Sequence, residues 1–224
     1  SGSKGINSWI AANAGYVRGE TTSQFPDASG NPFQGTIGAD YRTQSNCIIG
    51  GALSVGTTSQ DFSTGGDYRQ NTQALNVYAG YQNDRIWGNI VAAYALLQND
   101  INRNVQLGRL FTDHNQGDAD GHSMSFALRG GTDFKFGQFT TGPVIGAIFH
   151  EVRIDGFTEH GLTGATSLRF DSQTRDSQIT QLGWRAKAEL DNWTPFAEVA
   201  WNHEWNDDER TLQTSMTSVN APAY

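Results

Sequence analysis

Apolar and polar residues alternate strictly from Gln178 to Arg210, in two runs on either side of Asp191-Asn192. Successive side chains of a β-strand point to opposite faces, so this period of two predicts two strands with one apolar and one polar face each. Asp-Asn is typical of a tight turn between such strands. The apolar faces carry Leu182, Trp184, Val199 and Trp201. The polar faces carry Arg185, Lys187, Glu189, Glu198 and Glu204. Charges collected on one wall are typical of a membrane β-barrel, which is apolar outside and polar inside.

The same alternation recurs along residues 1–224 and predicts about ten antiparallel strands in one up-and-down meander. Short and long connections follow each other in turn. Short turns are predicted at Ser45-Asn46, Asn83-Asp84, Phe136-Gly137-Gln138 and Asp191-Asn192. Long polar connections are predicted to begin near Gly19, Thr58, Asn99 and Asp155. Outer-membrane barrels show this asymmetry, because their periplasmic turns are short and their external loops are longer.

Three weaker patterns complete the predicted architecture. The polar segment from Asn99 to Asp118 is expected to be a loop, and Thr211 to Val219 a last, weaker strand. Aromatic residues near strand ends, including Trp9 and Trp87, are expected to form the girdles that mark the lipid–water boundary. The fold class is therefore all-β, an antiparallel transmembrane barrel.

Composition and charge narrow the function classes. The mean hydropathy is −0.52 and no apolar run approaches the roughly 18 residues that a spanning helix needs, which excludes a helical membrane protein. The formal net charge is −8 and no basic stripe is present, so we expect no nucleic-acid partner. Cys47 is the single cysteine, which excludes an internal disulfide and a Cys-based zinc site.

The C-terminal third resembles the β-domain of classical (type Va) autotransporters. The residues that carry the resemblance are GPVIGAIFHEVRIDGFTEHG (Gly142 to Gly161), SQITQLGWRAKAEL (Ser177 to Leu190) and WTPFAEVAWNHEW (Trp193 to Trp205). Before Phe139 only the strand pattern is similar. Within the family, the nearest similarity is to barrels that carry esterase or protease passengers.

The resemblance implies a twelve-stranded barrel in the outer membrane of a Gram-negative bacterium, where it exports or displays an N-terminal passenger. It also implies a linker helix through the pore, contact with the lipid bilayer, and insertion by the barrel-assembly machinery. The family's last two strands and terminal aromatic signature do not follow Tyr224 here, so we expect the barrel in this chain to be truncated at its C-terminus.

The charged face of the last hairpin is the candidate functional site. We expect Arg185, Lys187, Glu189, Glu198 and Glu204 to line the pore. Arg185 and Glu198 lie on adjacent strands and could form an ion pair across the hairpin. Two interpretations remain open: a charged wall that holds the linker helix in a hydrated passage, or polar residues that merely fill the lumen.

Other functions are less well supported. His203-Glu204 with Asp207, Asp208 and Glu209 could suggest a metal site, but neighbouring strand residues point to opposite faces, which favours a solvated acidic loop. Histidines beside carboxylates at Asp113-His114, His122 and His150-Glu151 could serve an outer-membrane hydrolase if they converged in space. A simple porin-like or adhesin barrel is a further alternative. We predict no catalytic residues, metal or cofactor in this segment.

Overall fold

A computed structural model shows an all-β chain and describes residues 5–19, 28–63, 65–190, 192–206 and 214–217. Among these residues, no helix is long and apolar enough to cross a membrane. In chain order the strands are β1 (Gly5–Ala14), β2 (Val17–Gly19), β3 (Ala28–Arg42), β4 (Cys47–Phe62), β5 (Gly66–Gln82), β6 (Ile86–Leu107), β7 (Phe111–Thr132), β8 (Phe134–Phe136), β9 (Phe139–Ile154), β10 (Phe157–Thr158), β11 (His160–Gly161), β12 (Leu168–Phe170), β13 (Gln173–Ala188), β14 (Phe196–Glu204) and β15 (Thr214–Met216).

The main sheet is an antiparallel meander in the order β1-β3-β4-β5-β6-β7-β9-β13-β14, in which each long strand pairs with the next one along the chain. Strands β2, β8 and β11 extend it by pairing with β3, β9 and β7. A separate three-stranded sheet is formed by β10, β12 and β15. Asp191 lies outside the described residues, and Leu190 and Trp193 bridge the two sides of its turn. The sheet is of the up-and-down type that the alternation predicts.

One face of the sheet presents large apolar side chains outward. Ile37 is 60% exposed, Leu53 60%, Leu75 55% and Leu128 51%, and all of them lie within long strands. Such residues would be inside a soluble protein, since their burial is the main stabilising term of folding. A contiguous outward band of this kind is the lipid-facing surface of a membrane barrel.

The sheet is strongly curved, with the polar wall on its concave side. Strands β6 and β13 are separated by β7 and β9 in the sheet order. In a flat sheet they would therefore lie about 14 Å apart. The Arg185 guanidinium of β13 nevertheless lies only 3.9 Å from the centre of the Trp87 ring of β6. Towards the β1 edge of the sheet, Trp9 of β1 donates a hydrogen bond to the Tyr78 hydroxyl of β5 at 3.0 Å. Strands β3 and β4 lie between these two strands, so this contact also requires curvature.

Three predictions about elements are wrong. The connection predicted to begin near Thr58 is paired strand instead, because β4 continues to Phe62 and β5 begins at Gly66. The segment from Asn99 to Asp118 is not a loop, because β6 and β7 run through it and turn only at residues 108–110. Polar side chains do not stop backbone pairing, so the ladder continues beyond the apolar band. The last predicted strand, within Thr211 to Val219, does not extend the main sheet where it is described. Its described part is β15, which pairs with β12 in the small sheet.

The predicted positions of two aromatic residues are also wrong. Trp9 and Trp87 lie on the concave face rather than in a lipid-facing girdle. Trp87 packs against Arg185, and the Tyr78 hydroxyl that accepts from Trp9 itself donates to Asp40 at 3.2 Å. Trp9 also alternates with the outward residue Ile10, which is 83% exposed. Position near a strand end does not determine which face a residue occupies; its parity along the strand does.

Candidate functional site

Arg185 forms the central ion pair of the concave wall. Its Nη2 lies 2.8 Å from both carboxylate oxygens of Asp133, the residue between β7 and β8, and its Nε lies 3.1 Å from Oδ1. The Asp133 side chain is only 10% exposed. The other face of the guanidinium stacks on the Trp87 ring, which adds a cation–π contact. This arrangement fixes the guanidinium against the wall.

The predicted pair of Arg185 with Glu198 does not form, although the two residues are opposite each other in the β13–β14 register. Glu198 instead pairs with Arg129 of β7, whose Nε also donates to Gln181 Oε1 at 3.1 Å. The Arg185–Asp133 pair therefore spans strand β9, and the Arg129–Glu198 pair spans both β9 and β13.

The reason lies in two glycines of β9. Gly142 is opposite Arg185, and Gly146 is opposite both Arg129 and Gln181. Neither has a side chain, so the wall is open at these points and long side chains from β7, β13 and β14 can meet over it. A Cβ at position 142 would collide with the carbonyl oxygen of Thr132, so the backbones also approach closely there.

The other predicted residues lie elsewhere. Lys187 Nζ is 2.9 Å from Glu189 Oε1, and both side chains are well exposed near the β13–β14 turn. This hydrogen bond, together with the positive charge of Lys187, lowers the pKa of Glu189. Glu204, at the other end of the hairpin, accepts from Ser177 Oγ at 2.6 Å and from the amide of Gln178 at 2.7 Å. The five residues therefore do not form one continuous network.

A cavity of about 630 Å³ opens at the end of the sheet that carries the short turns. Its lining includes Arg42 of β3, Asn46 of the β3–β4 turn, Asn83 of the β5–β6 turn, Trp87 of β6 and Arg185 of β13. Residues from strands that are far apart in the sheet order share this cavity, so it is the mouth of the concave space.

A second polar network lies at the opposite end of the molecule, where the segment between β9 and β13 packs on the β6–β7 hairpin. We call it the outer clamp, and it consists of Arg103, Asp113, Asn115, Glu159, Thr163, Thr166 and Ser167. Asp113, Asn115, Glu159 and Ser167 are each at most 2% exposed. They are among the most deeply buried side chains in the part of the chain that is described.

Every buried group of the outer clamp has a partner. Arg103 Nε donates to Glu159 Oε1 at 2.9 Å. Asp113 Oδ2 accepts from the hydroxyls of Thr163 and Thr166 at 2.6 and 2.8 Å. The hydrogen bond from the Thr163 hydroxyl is the largest cause that lowers the pKa of Asp113, and burial partly opposes it. Satisfied buried networks hold a single arrangement, because an unpaired member would be costly.

Two histidines considered for a hydrolase, and the His203 considered for a metal site, each have other partners. His114 Nδ1 lies 2.7 Å from Asn104 Oδ1, and the His122 ring stacks on Tyr94. His203 stacks on Trp201 and meets Trp205 edge-on. Asp207, Asp208 and Glu209 lie outside the described residues. Within the ranges that the structure describes, no group of three or more His, Cys, Asp or Glu side chains could hold a metal ion.

Sequence reasoning did not include Arg129, Asp133 and Trp87 in the candidate site. The alternation already places Arg129 and Asp133 on the polar face of the strand predicted from Ala119 to Phe134, opposite Met124 and Leu128. The pattern could not predict the pairing across one or two intervening strands, which depends on curvature and on the glycines of β9.

The family of this sheet follows from its similarity to known proteins. The family model described as Autotransporter beta-domain matches residues 8–224. The chain belongs to the autotransporter β-domain family. It is therefore an outer-membrane translocator domain of the type V secretion class, which exports or anchors a passenger.

Individual relatives of this translocator domain include enzymes. Esterase EstA of Pseudomonas aeruginosa is 29% identical over 198 residues, which cover 85% of this chain and 30% of that protein. Lipase 1 of Photorhabdus luminescens is 27% identical over 190 residues, 82% of this chain and 29% of that protein. The chain thus spans about a third of the length of these relatives.

Among solved structures, the translocator domain of autotransporter NalP from Neisseria meningitidis is similar in fold. The TM-score is 0.71 at 17% sequence identity, with 97% of this chain and 72% of that chain covered.

Proposed function

We propose that the concave face of this translocator domain is the passage for an N-terminal passenger, and that its paired charges keep this passage open and hydrated. Arg185, Lys187, Glu189, Glu198 and Glu204 line the pore in this proposal, together with Arg129 and Asp133. A linker helix occupies the pore after export, and the barrel-assembly machinery inserts the domain into the bilayer.

The observation that carries this proposal is that both arginines of the wall are paired with carboxylates from other strands. Each guanidinium is held against the wall by a carboxylate on another strand, Arg185 by Asp133 and Arg129 by Glu198. A free arginine would extend into the passage and bind acidic segments of the moving chain. Beyond these pairs the wall positions are small, since Ala93 is opposite Ser125 and Ala95 is opposite Ser123.

We further propose that the passenger hydrolyses carboxylic esters and that this segment itself performs no catalysis. Two relatives that match over most of this chain are named as an esterase and a lipase, and the matched region is less than a third of each. Their remaining length is sufficient for a separate enzyme domain of ordinary size.

The test uses the full-length polypeptide with an epitope tag on its N-terminal side, expressed in cells with an outer membrane. We expect added protease to remove the tag from intact cells, and these cells to hydrolyse p-nitrophenyl butyrate. Tag removal without hydrolysis would retain the export proposal and reject the esterase.

Two variants separate the alternatives for the charged wall. Arg129→Ala combined with Arg185→Ala leaves Asp133 and Glu198 without cations, so we expect several-fold less tag at the surface per inserted barrel. Lys135→Ala is the matched control, because its exposed pair with Asp84 lies outside the pore-lining set and contributes little, and surface tag should stay within about twofold. Equal display by both variants would mean that these residues only fill the lumen.

A further inference from the structure

The β6–β7 hairpin ends in an exposed apolar surface, which we call the apolar tip and define as Leu107, Leu110, Phe111 and Leu162. Leu110 is fully exposed, Leu162 is 79% exposed, and Leu107 and Phe111 are 40% and 43% exposed. The first three residues surround the turn at Gly108, and Leu162 comes from the segment between β9 and β13. Apolar residues that protrude together into water usually mark an interaction surface.

The outer clamp holds this surface in place. Thr163, next to Leu162, donates to Asp113, which lies two residues from Phe111. Main-chain pairing of Gly161 with Asn115 reinforces this contact. Because Asp113 and Asn115 are almost completely buried, Leu162 cannot move away from the hairpin without exposing satisfied polar groups. The tip is therefore a preorganised surface.

The bilayer that surrounds the lipid-facing band of this domain is too far away to cover the apolar tip. The last outward apolar residue of β6 within the lipid-facing band is Leu96, and Leu107 lies eleven residues further along the same strand. With the rise of a strand and the usual tilt of a barrel, that separation corresponds to roughly 25–30 Å of height above the band. The acyl chains end where the band ends.

We propose that the apolar tip docks the exported passenger of the same polypeptide. This inference rests on the proposed function and names one contact surface for its passenger. The tip lies on the external side of the domain, opposite the short turns, where an exported passenger emerges. A passenger tethered to the barrel is present at a high effective concentration, so a small surface can hold it.

The size of the tip favours this tethered partner over a free one. Four side chains offer only a few hundred Å², whereas stable complexes between free proteins bury at least roughly 1,200 Å² in total. A rigid surface also loses little conformational entropy on binding, so even a small contact area can hold a tethered partner.

The experiment places the photoreactive residue p-benzoylphenylalanine at position 110 of the full-length, N-terminally tagged polypeptide in intact cells. We expect light to produce an intramolecular crosslink between the tagged passenger and the β-domain. Position 118 is the matched control, because Asp118 is exposed on β7 below the tip, and it should give no crosslink. A crosslink between two β-domains, or none at position 110 while the tag is at the surface, would overturn the proposal.

A second measurement uses Leu110→Asn combined with Phe111→Asn. We expect surface tag to remain at the level of the unsubstituted protein, while the exported passenger becomes several-fold more sensitive to added protease. Asp118→Asn should leave both quantities unchanged. Unchanged sensitivity of the double variant would count against docking. Absence of surface tag in the unsubstituted protein would reject the proposed function itself, and this inference with it.

Discussion

Two uncharged residues, both glycines, determine which acidic partner each arginine of the concave wall binds. Gly142 and Gly146 leave two gaps in β9, and Arg185 and Arg129 reach across these gaps to Asp133 and Glu198. Opposite positions in a β-ladder bring side chains close together, but they do not force a contact when a longer reach gives a better-buried partner. Asp133, at 10% exposure, is such a partner for Arg185.

A double-mutant cycle tests this choice of partner. Arg185→Ala and Asp133→Ala, measured singly and together by urea unfolding of the domain in lipid vesicles, should show a coupling free energy of about 1–3 kcal/mol, since charged hydrogen bonds in a partly buried site are lost. The matched cycle of Arg185 with Glu198 should give coupling close to zero. A larger coupling with Glu198 than with Asp133 would mean that the hairpin pair forms instead.

At this scale the sequence predicted which face each charge occupies. Parity along β13 put Arg185 and Lys187 on one wall, opposite Leu182 and Trp184. It could not predict the ion pairs, because these depend on distances across the intervening strands of a curved sheet. Nor could it place Trp87, whose position near a strand end predicts a girdle, whereas the structure places it on the concave face against Arg185.

Strand length is the main lesson at the scale of elements. The polar residues from Asn99 to Asp118 continue the alternation of β6 and β7, with Asn99, Asp113 and Asn115 buried and Asp100, His114 and Asp118 exposed. Polarity predicts a loop here, although a ladder above the membrane needs no apolar residues. The buried face of this extension holds the outer clamp, and the signal for it was the preserved period of two.

The outer clamp should weaken in acid. Its Asp113 has a lowered pKa in the folded protein, mainly through the Thr163 hydroxyl. A lowered pKa means that the carboxylate stabilises the fold above its usual pKa of about 3.9 and loses this contribution as the pH falls through the lower folded value. We expect hydrogen exchange of segment 157–170, corrected for intrinsic rates, to lose protection only below about pH 4.

Asp113→Asn is the control for this pH dependence. The amide cannot titrate, and its nitrogen cannot accept the threonine hydroxyls, so protection should be low at every pH without an acid step. Arg103 and Glu159 belong to the same clamp, and His114 and His160 lie beside it. An acid step of equal size in the variant would assign the effect to one of these groups rather than to Asp113.

At the scale of the whole molecule, two surfaces explain why this chain is a translocator domain of the outer membrane. The outward band of leucine and isoleucine is exposed along the described strands, and the concave face carries charges that would not be tolerated in lipid. Exposing the apolar band to water, or the charged face to lipid, would be energetically unfavourable. Their separation by strand parity is the feature that the sequence predicted best, since it needs no knowledge of tertiary distances.

The same separation leads to a test of the lipid-facing band. Leu53 lies in the middle of β4 and is 60% exposed, so Leu53→Arg would be nearly neutral in a soluble protein. In a bilayer it should reduce the free energy of unfolding by about 2–4 kcal/mol, because the charge lies near the midplane. Ser59→Arg, on the same face of β4 but above the band, should change it by less than about 1 kcal/mol. Urea unfolding of both variants in lipid vesicles measures the difference. Equal, small effects at the two positions would place the band in water and contradict the membrane assignment.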